Sequence, residues 1–272
     1  MSASASALSR CLAATREQGR AALVAYLPVG YPSVPGSLAA MRAAVAAGAD
    51  IVEVGLPYSD PVMDGPVIQA AAEQALACGV RVRDVLTAVA AVAEAGAVPV
   101  VMSYWNPVLR YGVDSFARDL AAAGGAGVIT PDLIPDEAQA WLDASTAHGL
   151  DRIFLVAPSS TDARLAMTAA ACSGFVYVAS TMGVTGMRAQ VGSGAQDLVR
   201  RARAVTDLPL CVGLGVSTGE QAGEVATYAD GVIVGSALVK AAATADDPDG
   251  GLDALRTLTA ELARGVRAGA AA

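Results

Sequence analysis

Short apolar runs alternate along this chain with longer stretches in which apolar and polar residues recur at helical spacing. The runs fall at 22–27 (ALVAYL), 51–55 (IVEVG), 98–104 (VPVVMSY), 127–130 (GVIT), 152–157 (RIFLVA), 175–179 (FVYVA), 209–213 (PLCVG) and 231–235 (GVIVG). Each is almost continuously apolar, as expected of parallel strands covered on both faces. Between them lie amphipathic segments such as 82–95, 113–123 and 196–205. Eight strands alternating with helices predict an α/β protein, a single (β/α)8 TIM barrel.

One further helix is predicted before the first strand, over about 3–18, so residues 1–20 form an N-terminal helical segment covering the bottom of the barrel. The helical pattern at 250–267 then runs into a frayed tail at 268–272. With no linker, low-complexity tract or internal repeat beyond the βα period, all of 1–272 reads as one domain. The composition agrees with a large buried core, with 54% hydrophobic and only 16% charged residues. A net charge of -8 without a basic block argues against a nucleic-acid partner. No apolar run approaches the roughly 20 residues of a membrane span. Cys11, Cys78, Cys172 and Cys211 are scattered, which fits a reducing cytoplasm rather than a zinc site or a disulfide scaffold.

The chemistry concentrates in 49–69, ADIVEVGLPYSDPVMDGPVIQ. Glu53 lies inside an apolar strand, where a carboxylate is rarely placed unless paired or used. Asp60 and Asp64 follow in the loop at the strand's carboxyl end, the catalytic side of such barrels. Late glycine-bearing loops (Gly183 to Gly186, Gly213 to Gly215, Gly235-Ser236) sit where these folds often cradle phosphate. Any one of them alone reads as a tight strand-to-helix turn, and it is the set in a barrel that points to phosphate. The only lysine, Lys240, falls on a helix after the last strand, which disfavours a Schiff base. The only histidine, His148, precedes Gly149 at a helix C-terminus, where its ring is expected to help satisfy the last carbonyls. It cannot supply a metal cluster or a triad, so no metal site is expected. Carboxylate acid–base chemistry remains, although Glu53 could also be a structural hydrogen-bonding group and Asp64 a turn cap.

Several longer motifs, in order and on matching strands, make the chain resemble the tryptophan synthase α subunit family over almost its full length. The strongest is Glu53-Val54-Gly55 with Pro57-Tyr58-Ser59-Asp60-Pro61-Val62-Met63-Asp64-Gly65-Pro66. Pro28 to Pro32, Tyr104-Trp105-Asn106-Pro107, Pro131-Asp132-Leu133, Gly183 to Gly186, Gly213 to Val216 and Val234 to Ala237 support it. The resemblance implies a lyase that cleaves indole-3-glycerol phosphate into indole and glyceraldehyde 3-phosphate by a retro-aldol reaction. It implies Glu53 as the acid–base group, Asp64 as partner of the indole N–H, and Tyr104 and Tyr177 as substrate contacts. Gly186, Gly213, Gly235 and Ser236 would bind the phosphate. It further implies no cofactor in this chain and an α2β2 assembly, contacted through Asp60 and Asp132, with a β subunit that carries pyridoxal phosphate (PLP) and uses the indole to make L-tryptophan. Two rivals stay open: another phosphate-binding barrel, such as an Amadori isomerase, and a non-catalytic regulatory subunit.

Overall fold

A computed structural model describes residues 5–179, 193–213, 215–243 and 248–269. The chain opens with α1 (Ala7–Glu17), β1 (Ala22–Pro28), α2 (Val34–Ala46), β2 (Ile51–Gly55), α3 (Pro66–Ala77) and α4 (Val82–Glu94). It continues with β3 (Val98–Met102), α5 (Trp105–Tyr111), α6 (Val113–Ala122), β4 (Gly127–Ile129), a 3-10 turn at Pro135–Glu137 and α7 (Gln139–His148). Next come β5 (Asp151–Ile153), β6 (Leu155–Val156), α8 (Asp162–Ala171), β7 (Val176–Ala179) and α9 (Ser193–Arg203). Finally, β8 (Leu210–Gly213), α10 (Gly219–Ala226), β9 (Gly231–Val234), α11 (Ser236–Ala242) and α12 (Pro248–Ala268) complete the described elements. Of the tail at 268–272, residues 270–272 lie outside the described residues.

All strand pairings are parallel, in the order β5-β4-β3-β2-β1-β9-β8-β7-β6. The two ends of this order are consecutive in the chain, so the ring closes through Phe154. Where one strand was expected over 152–157, the structure has two short ones. The Phe154 amide donates to the Cys172 sulfur at 3.4 Å instead of continuing the ladder with β4. The first half therefore pairs with β4 and the second with β7.

Alternation along each strand divides the core into two layers. Ala22, Val24, Ile51, Val100, Ile129, Ile153, Phe175, Cys211 and Ile233 fill the barrel interior. Leu8 and Leu12 of α1 join this cluster, because the helix lies across the N-terminal mouth. The opposite faces, including Val52, Val54, Val101, Val178, Val212 and Val234, pack against the surrounding helices. Each such side chain contributes roughly 1.5–3 kcal/mol when fully buried. Hydroxyl side chains start several helices: Ser6, Ser33, Thr161 and Thr218 each accept an N–H from the first turn.

Three aspartates tie the N-terminal mouth together. Asp50, just before β2, receives Arg20 through two bonds of 2.8 and 2.7 Å and also the Leu23 amide at 2.9 Å. Asp230, just before β9, pairs with Arg16 and Arg203 and takes the Leu210 amide at 2.8 Å. Asp151, buried at the start of β5, accepts the hydroxyl of Ser6, the cap of α1. No helix among the described residues is long and apolar enough to cross a membrane.

Candidate active site

The alternation that sends Val52 and Val54 outward turns Glu53 into the barrel. Its residue exposure is only 2%, and Oε2 has no hydrogen-bond partner among the described residues. Burial, reinforced by the nearby negative charge of Asp64, pushes its pKa up from 4.5 to about 8. Glu53 is thus a buried carboxyl group that keeps its proton beyond the ordinary carboxylate range, with one oxygen that no described residue engages.

Asp64 comes from the loop between β2 and α3. Its main-chain carbonyl accepts Gln69 Nε2 at 2.8 Å, and its carboxylate Oδ1 accepts the Tyr104 hydroxyl at 3.2 Å. Burial raises its pKa, and the bond from Tyr104 opposes that rise. Tyr104 follows β3, is almost fully buried, and also accepts the Met63 amide at 3.1 Å. Its ring stacks on Tyr58 with centroids 5.1 Å apart. Burial, then the Asp64 charge, push the Tyr104 phenol far up, so it remains a donor to Asp64.

Tyr177 on β7 points inward within electrostatic range of Glu53 and Asp64, and burial pushes its phenol well up. A residue not singled out in the sequence joins it. Tyr26 on β1 stands beside Glu53 in the sheet register, and its phenol, raised mainly by burial, feels Asp64, Glu53, Tyr104 and Tyr177. The available signal was parity, since Tyr26 shares the inward face with Ala22 and Val24.

Glycines at the strand ends make room for these rings. A Cβ on Gly55 would come within 2.6 Å of the Tyr26 hydroxyl, and one on Gly213 within 2.5 Å of the Tyr177 hydroxyl. Gly235 borders the Tyr26 ring at 3.2 Å by the same measure. Gly213 and Gly235 therefore border Tyr177 and Tyr26 at the strand ends, and the buried Ser236 follows Gly235 in the chain. Gly235 is the N-cap residue of α11, and its carbonyl accepts the Leu238 and Val239 amides at 2.9 and 3.1 Å. Gly219 at the start of α10 donates its N–H to Glu261 at 2.8 Å. Gly186 lies outside the described residues.

Asp60 and Asp132 sit at the exposed rim. Asp60 accepts Ser59 Oγ at 2.6 Å, and Asp132 Oδ1 accepts the Trp105 amide at 2.9 Å. Lys240 is exposed on α11. His148 does precede a left-handed Gly149, but its ring does not serve its own helix: it bonds Asp114 in the first turn of α6 at 2.9 Å. A carboxylate is the stronger acceptor, and it lies within reach. Among the described residues no group of three or more His, Cys, Asp or Glu could hold a metal ion.

Fold and site together define a class: a (β/α)8-barrel enzyme that gathers a buried carboxyl group and a half-buried one at the carboxyl ends of its strands, a set suited to acid–base chemistry. The family model described as tryptophan synthase alpha chain matches residues 12–267. A tryptophan synthase alpha chain of Nocardia farcinica is 64% identical over 262 residues, covering 96% of each chain. A solved tryptophan synthase of Mycobacterium tuberculosis superposes with a TM-score of 0.92 at 63% identity, covering 97% of this chain and 99% of that one. The subunit alpha of Legionella pneumophila gives a TM-score of 0.88 at 31% identity, covering 97% and 99%. The chain belongs to the tryptophan synthase alpha chain family.

Proposed function

We infer that this chain is the lyase that cleaves indole-3-glycerol phosphate into indole and glyceraldehyde 3-phosphate, with Glu53 and Asp64 as its catalytic pair. The observation that supports the assignment of roles is the oxygen of buried Glu53 that no described residue engages, on a carboxyl whose pKa burial raises to about 8 beside a second carboxylate. Glu53 protonates C3 of the indole ring. Positive charge then develops at the ring nitrogen, where Asp64, oriented by Tyr104, stabilises it. Removal of the proton from the adjacent side-chain hydroxyl turns that carbon into the aldehyde, and the electrons of the breaking C–C bond return to the ring. One proton is given and one taken, so the recharged Glu53 is ready for another cycle. The protonated ring is its own electron sink, and the chemistry calls for neither a lysine imine nor a metal.

Tyr104, Tyr177 and Tyr26 wall the ring site. Gly213, Gly235 and Ser236, with Gly186, receive the phosphate through backbone N–H groups and a hydroxyl. The chain itself needs no cofactor. In its family, PLP belongs to the β subunit, which converts the released indole to L-tryptophan in an α2β2 assembly. Asp60 and Asp132 are partner contacts in this reading. Exposed Val62, Ile134, Leu109 and Tyr111, on the segments following β2, β4 and β3, support an apolar seat beside them. Four free cysteines suit a cytoplasmic location, and residues 1–272 act as one barrel domain. Indole release from indole-3-glycerol phosphate tests the assignment: an Amadori isomerase would release none, and a regulatory subunit would be indifferent to Glu53→Gln.

A further inference from the structure

Tyr104 occupies the N-cap of α5, yet its own side chain makes no capping bond. The vacant role is filled from the neighbouring strand's loop, where Asp132 Oδ1 accepts the Trp105 amide at 2.9 Å. Trp105 is held on its other side by Trp141, edge to face with centroids 6.3 Å apart. Trp105 is therefore held at its amide by a carboxylate and at its ring by buried Trp141. At the far end of the Tyr104 side chain, the hydroxyl bridges the Met63 amide and Asp64 Oδ1 at 3.1 and 3.2 Å.

We propose that Asp132 is a positioning residue for the cleavage reaction: by capping α5 it fixes the Tyr104 phenol, which in turn aims the Asp64 carboxylate at the substrate. This rests on the role given to Asp64 above. A rigid aromatic side chain magnifies any tilt of its backbone at its distal hydroxyl. Asp64 has no other side-chain donor among the described residues, so its aim follows that hydroxyl. Loss of the cap leaves the first N–H of α5 without its acceptor and lets the Tyr104 backbone turn. Misplacement of a charge-stabilising group by about 1 Å is enough to slow a reaction by roughly a hundredfold. The effect falls on the transition state, where the ring nitrogen carries its charge, and hardly on binding of the neutral ring. Asp132 is also two residues from exposed Ile134, so the same cap lies where a seated partner would press.

The test is steady-state indole release by the assembly with the β subunit, for wild type, Asp132→Ala, Asp132→Asn, Tyr104→Phe and the Asp132→Ala/Tyr104→Phe double variant. Asp132→Ala is expected to lower kcat by about tenfold to a hundredfold with KM within about twofold. Asp132→Asn keeps an oxygen for the Trp105 amide and is expected to recover most of kcat. In the Tyr104→Phe background the alanine change is expected to cost less than about threefold, since its route to Asp64 is already cut. Should the alanine variant fail to fold, Asp132→Glu, which keeps the charge but displaces the oxygen, is expected to show the same selective loss of kcat. Wild-type kcat in Asp132→Ala or Asp132→Glu, no recovery in Asp132→Asn, or an equal loss with and without the Tyr104 hydroxyl would each overturn the proposal. Wild type that releases no indole would overturn the assignment of the site and this proposal with it, a result distinct from a silent Asp132 variant.

Discussion

The two mouths of the barrel use the same side chains to opposite ends. At the N-terminal mouth the carboxylates of Asp50, Asp151 and Asp230 are matched by Arg20, Ser6, Arg16 and Arg203, and Asp50 and Asp230 also take strand amides. At the C-terminal mouth, among the described residues, Glu53 keeps a buried oxygen with no partner, and the one side-chain donor to the Asp64 carboxylate is a tyrosine hydroxyl. Pairing a buried carboxylate holds a fold together, whereas leaving one unpaired keeps it reactive. The barrel separates these needs along its axis, so stability and chemistry can be disturbed one at a time.

The largest expected effect is that of Glu53→Gln, which removes the proton donor and should lower kcat for indole release by at least about a thousandfold, while leaving the protein folded. Its influence on stability has a definite sign. The folded pKa of Glu53 lies above its ordinary value, at about 8 against 4.5, so the native state binds the extra proton between those limits. Its contribution is full below about pH 4.5 and is lost as pH rises to about 8. Urea unfolding at pH 5 and pH 8 should show wild type losing roughly 2–4 kcal/mol more than Glu53→Gln across that interval.

Next, Asp64→Asn should slow turnover about a hundredfold to a thousandfold with little change in KM, because the lost charge matters in the transition state. At the other mouth, Arg20→Ala should leave kcat unchanged but reduce stability by about 3 kcal/mol, since it strands the half-buried Asp50 carboxylate. A fall in kcat at temperatures where this variant is fully folded would break the division between the two ends. The smallest effect should come from Tyr26→Phe, which removes only a hydroxyl near Glu53 and should change kcat by about twofold to fivefold.

Much of this division was legible in the sequence, because strand alternation and strand-end loops are local patterns. The span of β2 follows from IVEVG, and the apolar runs place the other strands to within about two residues, whereas the inward aim of Glu53 is set by the register, since this run is apolar on both faces. The break at Phe154 was not legible, since it depends on a thiol at the end of α8 reaching the Phe154 amide. Tyr26 escaped because a tyrosine in an apolar run reads as packing until the register sets it beside Glu53. His148 was correctly placed at a helix end, but its partner Asp114 is 34 residues away. Asp132 was assigned through family resemblance as a partner contact, while its bond to Trp105 spans 27 residues. The N-terminal aspartates share a readable position just before or at strand starts, yet their partners too are remote in sequence.

The protonation state of Glu53 is the most direct test of the contrast between the mouths. Difference infrared spectra of wild type against Glu53→Gln, recorded across pH, isolate the carbonyl stretch of this one carboxyl group. The band of the protonated acid should persist through neutrality and disappear near pH 8. A band already lost near pH 4.5, the ordinary value, would mean that Glu53 is paired like the aspartates at the other end and is not the proton donor.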